Sequence, residues 1–332
     1  METKRFKAMV VTEGPSNSFI RRITRRSTED LPPGDAVIEV IYSSLNYKDA
    51  LSASGNRGVT RAYPHTPGID AAGILVEGEG SDFTIGDEVL VTGYDLGMNT
   101  SGGFGQMIRI PHEWVVRLPE GISLKESMMF GTAGFTAGLS VEKLVGHGIS
   151  PADGEILVTG ASGGVGSLAV SILSKIGYHV SAVTGKADDA GFLIRCGAKE
   201  IIPRERFRDN SPKPLLKGRF IGVVETVGGD FLATALKSTG YHGAVTCCGN
   251  VASPELHTTV FPFILRGVTL YGIDSANCPM SKRKQIWKNL AGKWKPDCLE
   301  SLADEVPLED LDSRIGLMLE GKLKGRTIVS LR

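Results

Sequence analysis

The chain has 332 residues, with 37 Lys+Arg against 37 Asp+Glu, 41% hydrophobic residues and 42 Gly. That length exceeds what one hydrophobic core usually serves, so two domains are expected, and the apolar fraction argues against global disorder. Zero net charge leaves no electrostatic footprint for DNA, RNA or an anionic membrane surface, and the glycines lack collagen's every-third spacing.

The first third reads as β-rich. Short apolar or alternating runs at 7–11, 36–41, 74–77, 88–92 and 107–110 are separated by Gly, Pro and Asp turns such as 31–35 and 85–87. A small, mostly antiparallel β domain fits this pattern. Arg21, Arg22, Arg25 and Arg26, followed by Glu29 and Asp30, read as a solvated basic face. From about Ser123 the rhythm changes. Strands at 155–159, 179–183, 200–202, 220–226 and 244–248 alternate with helices at 165–176, 188–196 and 231–238, which stop at Gly177, Gly197 and Gly240. Alternation of this kind predicts βαβ units and a doubly wound α/β parallel sheet. A strand at 268–273, helices at 282–291 and 308–319 and a strand at 326–331 close the chain. The last strand has no place in a finished doubly wound unit and is expected to return to the N-terminal β domain. The expected division is therefore 1–124 with 268–332, interrupted by 125–267.

Five Cys, at 196, 247, 248, 278 and 298, include no C-x-x-C pair and read as free thiols of a reducing cytosol. Residues 1–11 lack an apolar stretch suited to a signal peptide, and no run approaches a membrane span, so a soluble cytoplasmic protein is expected.

The strongest motif is Thr159-Gly160-Ala161-Ser162-Gly163-Gly164-Val165-Gly166, between a strand and an amphipathic helix. Its spacing is A-x-G-x-x-G, with Ala161 where the usual first glycine stands. In this context glycines let the backbone approach a pyrophosphate, and the helix N-terminus offers it unpaired N–H groups. A dinucleotide cofactor is expected. An NAD site would place an acid at the end of the next strand to bind the ribose 2′-OH. Here Thr184, Gly185 and Lys186 stand there, with Arg204 just after the third strand. These suit a 2′-phosphate, so NADPH is expected over NADH; Asp188 and Asp189, placed one turn into the next helix, argue mildly the other way.

At this point a family emerges. The strings SSLNYKDAL at 43–51, PGID at 67–70, GTAGFTA at 131–137, FPFILR at 261–266 and GIDS at 272–275 resemble the medium-chain dehydrogenase/reductase superfamily. Within it they resemble the zinc-free quinone oxidoreductase-like branch and its NADPH-dependent acrylyl-CoA reductases. The resemblance implies a Rossmann domain beside a discontinuous GroES-like catalytic domain. It also implies a homodimer joined through the coenzyme-domain edge strand, here 268–270. Alcohol dehydrogenases of this superfamily hold catalytic zinc with a Cys near 46–49 and a His-Glu pair near 68–70. This sequence has Asn46, Ile69 and Asp70 instead, and no Cys before Cys196 for a structural zinc lobe. Without such a Lewis acid an alcohol oxygen is hard to polarise. Reduction of an activated C=C bond, acrylyl-CoA to propionyl-CoA foremost, is expected.

That reaction needs hydride at the β carbon, donors for the enolate oxygen and a proton for the α carbon. Tyr47 is the first candidate, to bind the carbonyl, hold the cofactor or relay a proton; a packed tyrosine with a satisfied hydroxyl is the plainer alternative. Asn46 is the second, as orienting residue or donor. Asp49 would cap the helix that Tyr47 opens or pair with an Arg. Thr132 and Thr136 resemble a segment lining the cofactor cleft. Asn250 stands at a strand's carboxyl end, where open α/β sheets bind ligands. Ile264 and Ser275 match family positions against the nicotinamide half. Cys247 and Cys248 read as packing residues on opposite faces of a strand. The phosphates of CoA would need cations: Arg57 and Arg61 first, Lys282, Arg283 and Lys284 second. Two alternatives stay open: a quinone or general enone reductase, and a non-catalytic NADPH-binding protein.

Overall fold

The computed structural model describes residues 3–78 and 82–332. The chain divides into two compact units, Met1–Thr132 with Ala276–Ala291 and Ala303–Arg332, and Ala133–Ser275 with Gly292–Leu302.

In the first unit, β1 (Arg5–Glu13) and β2 (Phe19–Ser27) form an antiparallel hairpin. β2 occupies the arginine-rich segment that the sequence presents as a solvated face. Phe19 and Ile23, on one face of the strand, pack on the core while Arg22 and Thr24, on the other, stay exposed, so the arginines hide a short alternation that ends before Arg25. β3 (Ala36–Leu45), α1 (Tyr47–Ala53), β4 (Asp70–Glu77), β5 (Glu88–Thr92), β6 (Met107–Ile110) and β7 (Val116–Arg117) follow. α2 (Leu124–Gly146) then carries the chain onward, interrupted at Gly131 by non-helical backbone at φ 51°, ψ −156°. The unit boundary lies next to this break, between residues 132 and 133, where the sequence had suggested 124 and 125.

The second unit is a six-stranded parallel sheet, ordered β10-β9-β8-β11-β12-β13. Its elements are β8 (Glu155–Val158), α3 (Gly164–Lys175), β9 (His179–Thr184), α4 (Ala190–Arg195), β10 (Glu200–Pro203), α5 (Arg204–Phe207), β11 (Phe220–Glu225), α6 (Gly229–Ser238), β12 (Thr239–Cys247), α7 (Phe261–Arg266) and β13 (Thr269–Gly272). Strands such as β8 are apolar at consecutive positions, Ile156, Leu157 and Val158 all being fully buried, as a sheet covered on both faces requires. Leu157, Val223 and Val245 form a core with Leu232 and Leu236 of α6. β13 pairs with β12, Ala244 opposite Thr269. The strand at 269–272 therefore completes this sheet, and the boundary falls at 275/276 where the sequence had suggested 267/268.

The chain then contributes α8 (Met280–Ala291), β14 (Ala303–Pro307), α9 (Leu311–Leu319) and β15 (Arg326–Ser330). β15 enters the first unit's seven-stranded sheet, β14-β15-β3-β4-β5-β7, with β6 also on β3. It runs antiparallel to β3, Thr327 opposite Leu45. Ile38, Val40, Leu75, Val89, Val91 and Val329 fill the core, covered by Leu311 and Ile315 of α9. This interior position of the C-terminal strand brings Arg326 to the end of β3, where α1 begins.

Candidate functional site

In the first unit, the turn from β3 into α1 rests on a buried polar cluster. Asp49 Oδ2 accepts from the Asn46 N–H at 2.8 Å, and Oδ1 from the Ile69 N–H at 2.8 Å. One carboxyl thus caps α1 and ties it to the 67–70 loop. Burial, then the charge of Asp70, raise the pKa of Asp49 to about 7. Asp70 accepts from Ser44 Oγ at 2.6 Å, Asn46 Nδ2 at 2.7 Å, Thr132 Oγ1 at 2.5 Å and the Thr132 N–H at 2.9 Å. Arg326 lies 3.8 Å from Asp70. Its guanidinium donates to Ser44 Oγ at 2.7 Å, Asn46 Oδ1 and Leu45 O at 3.2 Å, and Met129 O at 3.3 Å. Burial holds its pKa below the usual arginine value. A Cβ at Gly131 would sit 2.5 Å from Asp70 Oδ2 and 2.8 Å from Arg326 Nη2, so the break in α2 exists where the cluster leaves no room.

Two of the candidate residues are engaged in this cluster. Asn46 is buried, and both ends of its amide are hydrogen-bonded within it. Thr132 directs its N–H and hydroxyl to Asp70. Tyr47 stands differently. It is the first residue of α1, 40% exposed, and its hydroxyl has no partner among the described residues.

The cations proposed for CoA are mostly committed elsewhere. Arg57 pairs with Glu13 at 2.6 Å, donates to Arg61 O at 2.8 Å and lies over the Phe19 and Tyr63 rings. Arg61 is exposed. Arg283 is fully buried, donating to Thr92 O and Ala276 O. Lys284 is 3.8 Å from Asp82.

In the second unit, Thr159 to Gly163 join β8 to α3, with Gly163 as N-cap and Gly164 to Gly166 opening the helix. A Cβ on Gly166 would meet Gly160 O at 2.3 Å, so only glycine lets the helix start this close to the strand. The first N–H groups of α3 have no helical acceptor. The cradle fits an anionic pyrophosphate. Ser162 Oγ lies 3.2 Å from Thr184 Oγ1, which also accepts from the Lys186 N–H at 3.1 Å. A Cβ at Gly185 would stand 2.5 Å from Arg204 Nε, so the Arg204 side chain lies directly over the end of β9. The structure thus brings Ser162, Thr184, Gly185, Lys186 and Arg204 together. Arg204 also touches Glu205 at 3.1 Å. Asp188 and Asp189 lie in a short 3-10 turn ahead of α4, one turn earlier than the sequence suggests.

Asn250 follows β12, with its Cα 3.0 Å from where a Gly228 Cβ would be. Ile264 is 68% exposed on α7, and Ser275 follows β13. β12 ends at Cys247, so Cys248 lies past the strand, its Sγ 3.4 Å from Glu225 O.

Sequence reasoning missed Glu225. Buried at the end of β11, it accepts from Thr159 Oγ1 at 3.0 Å and from the N–H groups of Val227 at 2.8 Å and Gly228 at 2.9 Å. Burial raises its pKa. It braces the point where strand order reverses between β8 and β11. An acid closing the apolar run FIGVVE was the available signal. The hydrogen-bonding use of Arg326 had none, since it depends on where the last strand inserts.

Residues 32–120 match a family model described as the alcohol dehydrogenase GroES-like domain, and residues 164–292 one described as zinc-binding dehydrogenase. A protein of Bacillus subtilis (strain 168) named quinone oxidoreductase YhfP is 46% identical over 92% of this chain and 93% of its own. A crystal structure of Bacillus subtilis yhfP with NAD bound superposes with TM-score 0.95 at 43% identity, covering 99% of this chain and 100% of that one. Acrylyl-CoA reductase AcuI of Ruegeria pomeroyi is 38% identical over 98% of this chain and 99% of its own. The yhdH oxidoreductase of Salmonella enterica in complex with NADP gives TM-score 0.95 at 40% identity, covering 98% and 100%.

The side chains at Asn46, Ile69 and Asp70 offer no thiolate or imidazole, and Asp70 is already held by four neighbours. Among the described residues no group of three or more His, Cys, Asp or Glu could hold a metal ion. These residues do not fit the zinc that the family description implies.

Proposed function

The chain belongs to the medium-chain dehydrogenase/reductase superfamily, and on that premise we propose an NADPH-dependent reductase of C=C bonds conjugated to a carbonyl, with acrylyl-CoA to propionyl-CoA as the foremost reaction. The observation that carries the cofactor is the cluster of Ser162, Thr184, Lys186 and Arg204 at the ends of β9 and β10, where Thr184, Gly185 and Lys186 replace the strand-end acid of an NAD site and Arg204, beside Glu205, lies over Gly185, an arrangement that suits a 2′-phosphate. The relative crystallised with NAD makes the NADH comparison part of the test. When bound, NADPH supplies the hydride. Gly163 to Gly166 and the start of α3 hold its pyrophosphate. The Asn46–Asp49–Asp70–Arg326 cluster fixes the first turn of α1 and so presents Tyr47. The Tyr47 phenol donates a hydrogen bond to the carbonyl oxygen as negative charge builds there. The acyl-CoA substrate is supported by the relative named acrylyl-CoA reductase, and a quinone reductase reading by the relative named quinone oxidoreductase. The outer edge of β13 suits a homodimer, which size-exclusion chromatography with light scattering checks.

The test is a panel with NADPH and NADH against acrylyl-CoA, crotonyl-CoA and 1,4-benzoquinone. The reading expects the highest kcat/KM for acrylyl-CoA with NADPH, and a Tyr47→Phe loss of about tenfold or more in kcat. Benzoquinone outrunning both thioesters would favour the quinone reading. No turnover of any acceptor would leave a cofactor-binding protein.

A further inference from the structure

Within the first unit, Lys48, Tyr94, Asp95, Met98, Trp114, Ala276 and Asn277 line a cleft of about 430 Å³, within the size range of ligand sites. One wall is a stack: Tyr94 and Trp114 lie parallel, 2° between planes, with centroids 5.2 Å apart. The stack is backed rigidly. Arg283 places its guanidinium 4.3 Å from the Tyr94 centroid, and Thr92 O and Ala276 O hold it there at 2.6 and 3.0 Å. Tyr94 is itself fixed by its N–H to Ala276 O at 3.1 Å. Its backbone sits at φ 53°, a conformation costly for an aromatic residue and maintained only where surroundings impose it.

Lys48 and Asp95 both line the cleft, and no ion pair joins them among the described residues. Asp95 is occupied, accepting from Asn99 Nδ2 at 2.9 Å and Thr100 Oγ1 at 3.2 Å. Lys48 is half-buried and has no ion-pair partner among the described residues. A flat aromatic wall beside an uncommitted cation suits a planar base joined to phosphate: stacking holds the base, and the ammonium meets the anion. Lys48 is also the residue after Tyr47 on α1, so the pantetheine arm would have to span from the cleft to the phenol.

We propose that this cleft takes the nucleotide end of a CoA thioester, with phosphate on Lys48 and adenine against the Tyr94–Trp114 stack, an inference that rests on the acyl-CoA reading above. It replaces Arg57 and Arg283, whose guanidiniums are engaged in the fold.

Calorimetric titration with coenzyme A, adenosine 3′,5′-bisphosphate and NADPH tests binding independently of turnover. Lys48→Met should raise the Kd of coenzyme A and of the bisphosphate about tenfold, and leave NADPH unchanged. In steady state the same variant should raise KM for acrylyl-CoA about tenfold with kcat within about twofold. KM for the acrylyl thioester of N-acetylcysteamine, which lacks the nucleotide, should not move. Trp114→Leu should repeat the pattern; Lys48, half-buried and outside the hydrophobic core, keeps the test valid if that variant folds poorly. The inference is overturned if wild type binds neither coenzyme A nor the bisphosphate, if Lys48→Met binds them as tightly, or if both thioesters lose equally. Reduction of small enones without coenzyme A binding would sink this cleft and spare the reductase. Lys48-dependent coenzyme A binding without turnover would do the reverse.

Discussion

Arg326 shows how a single residue can have a role that its sequence neighbourhood conceals. In GRTIVSLR it reads as one more arginine near a terminus. In the fold it is 3% exposed and donates to four oxygens of the β3–α1 turn and α2. A charge this deep is tolerated because a carboxylate and carbonyls surround it, and removing one partner strands the other. Arg326→Met should destabilise the first unit by about 3–5 kcal/mol, measured by urea unfolding. Arg326→Lys keeps the charge but loses the planar fork that reaches several acceptors at once, so it should recover only part of the loss. Full stability in Arg326→Met would mean Asp70 is held by Ser44, Asn46 and Thr132 alone. Asn46 teaches the converse. Its position beside Tyr47 suggested contact with substrate, yet its side chain points into the protein, and residue type with spacing cannot show which way a side chain turns.

At the scale of elements, legibility followed periodicity. β5 and β6 stand where the alternation puts them, and α3 differs by one residue at each end. β2 was hidden because four arginines mask its apolar positions, and α2 because Gly131, Gly134 and Gly138 sit within it and read as loop. The glycine loop was legible because its chemistry needs both a local sequence and a local context. That makes its packing testable. With a Cβ at Gly166 only 2.3 Å from Gly160 O and 2.7 Å from Ala161 Cα, both backbone atoms, Gly166→Ala must push the start of α3 away from β8. The helix N–H groups then leave the position proposed for the pyrophosphate. We expect a Kd for NADPH at least about tenfold weaker by fluorescence titration, with a melting temperature lowered by a few degrees. Unchanged affinity would place the phosphates elsewhere.

For the whole molecule, the sequence indicated a first unit interrupted by a second but not the seams between them. Those depend on β13 joining the parallel sheet and on α2 resuming after its break at Gly131, and neither leaves a compositional mark. Nor does the convergence of Asp49 and Asp70, which are 21 positions apart in the chain. That convergence has a consequence for stability. Asp49 is raised from 3.8 to about 7 in the fold, first by burial and then by Asp70. Between those values the folded chain keeps a proton that the unfolded chain has released. Stability from this group is therefore greatest at or below about pH 4, falls as pH rises through 7 and is level above it. The span corresponds to a contribution on the order of 4 kcal/mol at most. Asp49→Asn removes the titration and adds a pH-independent cost from its weaker hold on the Asn46 and Ile69 N–H groups. Urea unfolding of both proteins at pH 5, 6, 7 and 8 isolates the term, with Trp114 and Trp287 reporting from the same unit. The advantage of wild type over Asp49→Asn should shrink steadily between pH 5 and 7 and flatten by pH 8. An advantage that stays constant, or grows with pH, would mean that Asp49 is ionised throughout and that Arg326 compensates both carboxylates.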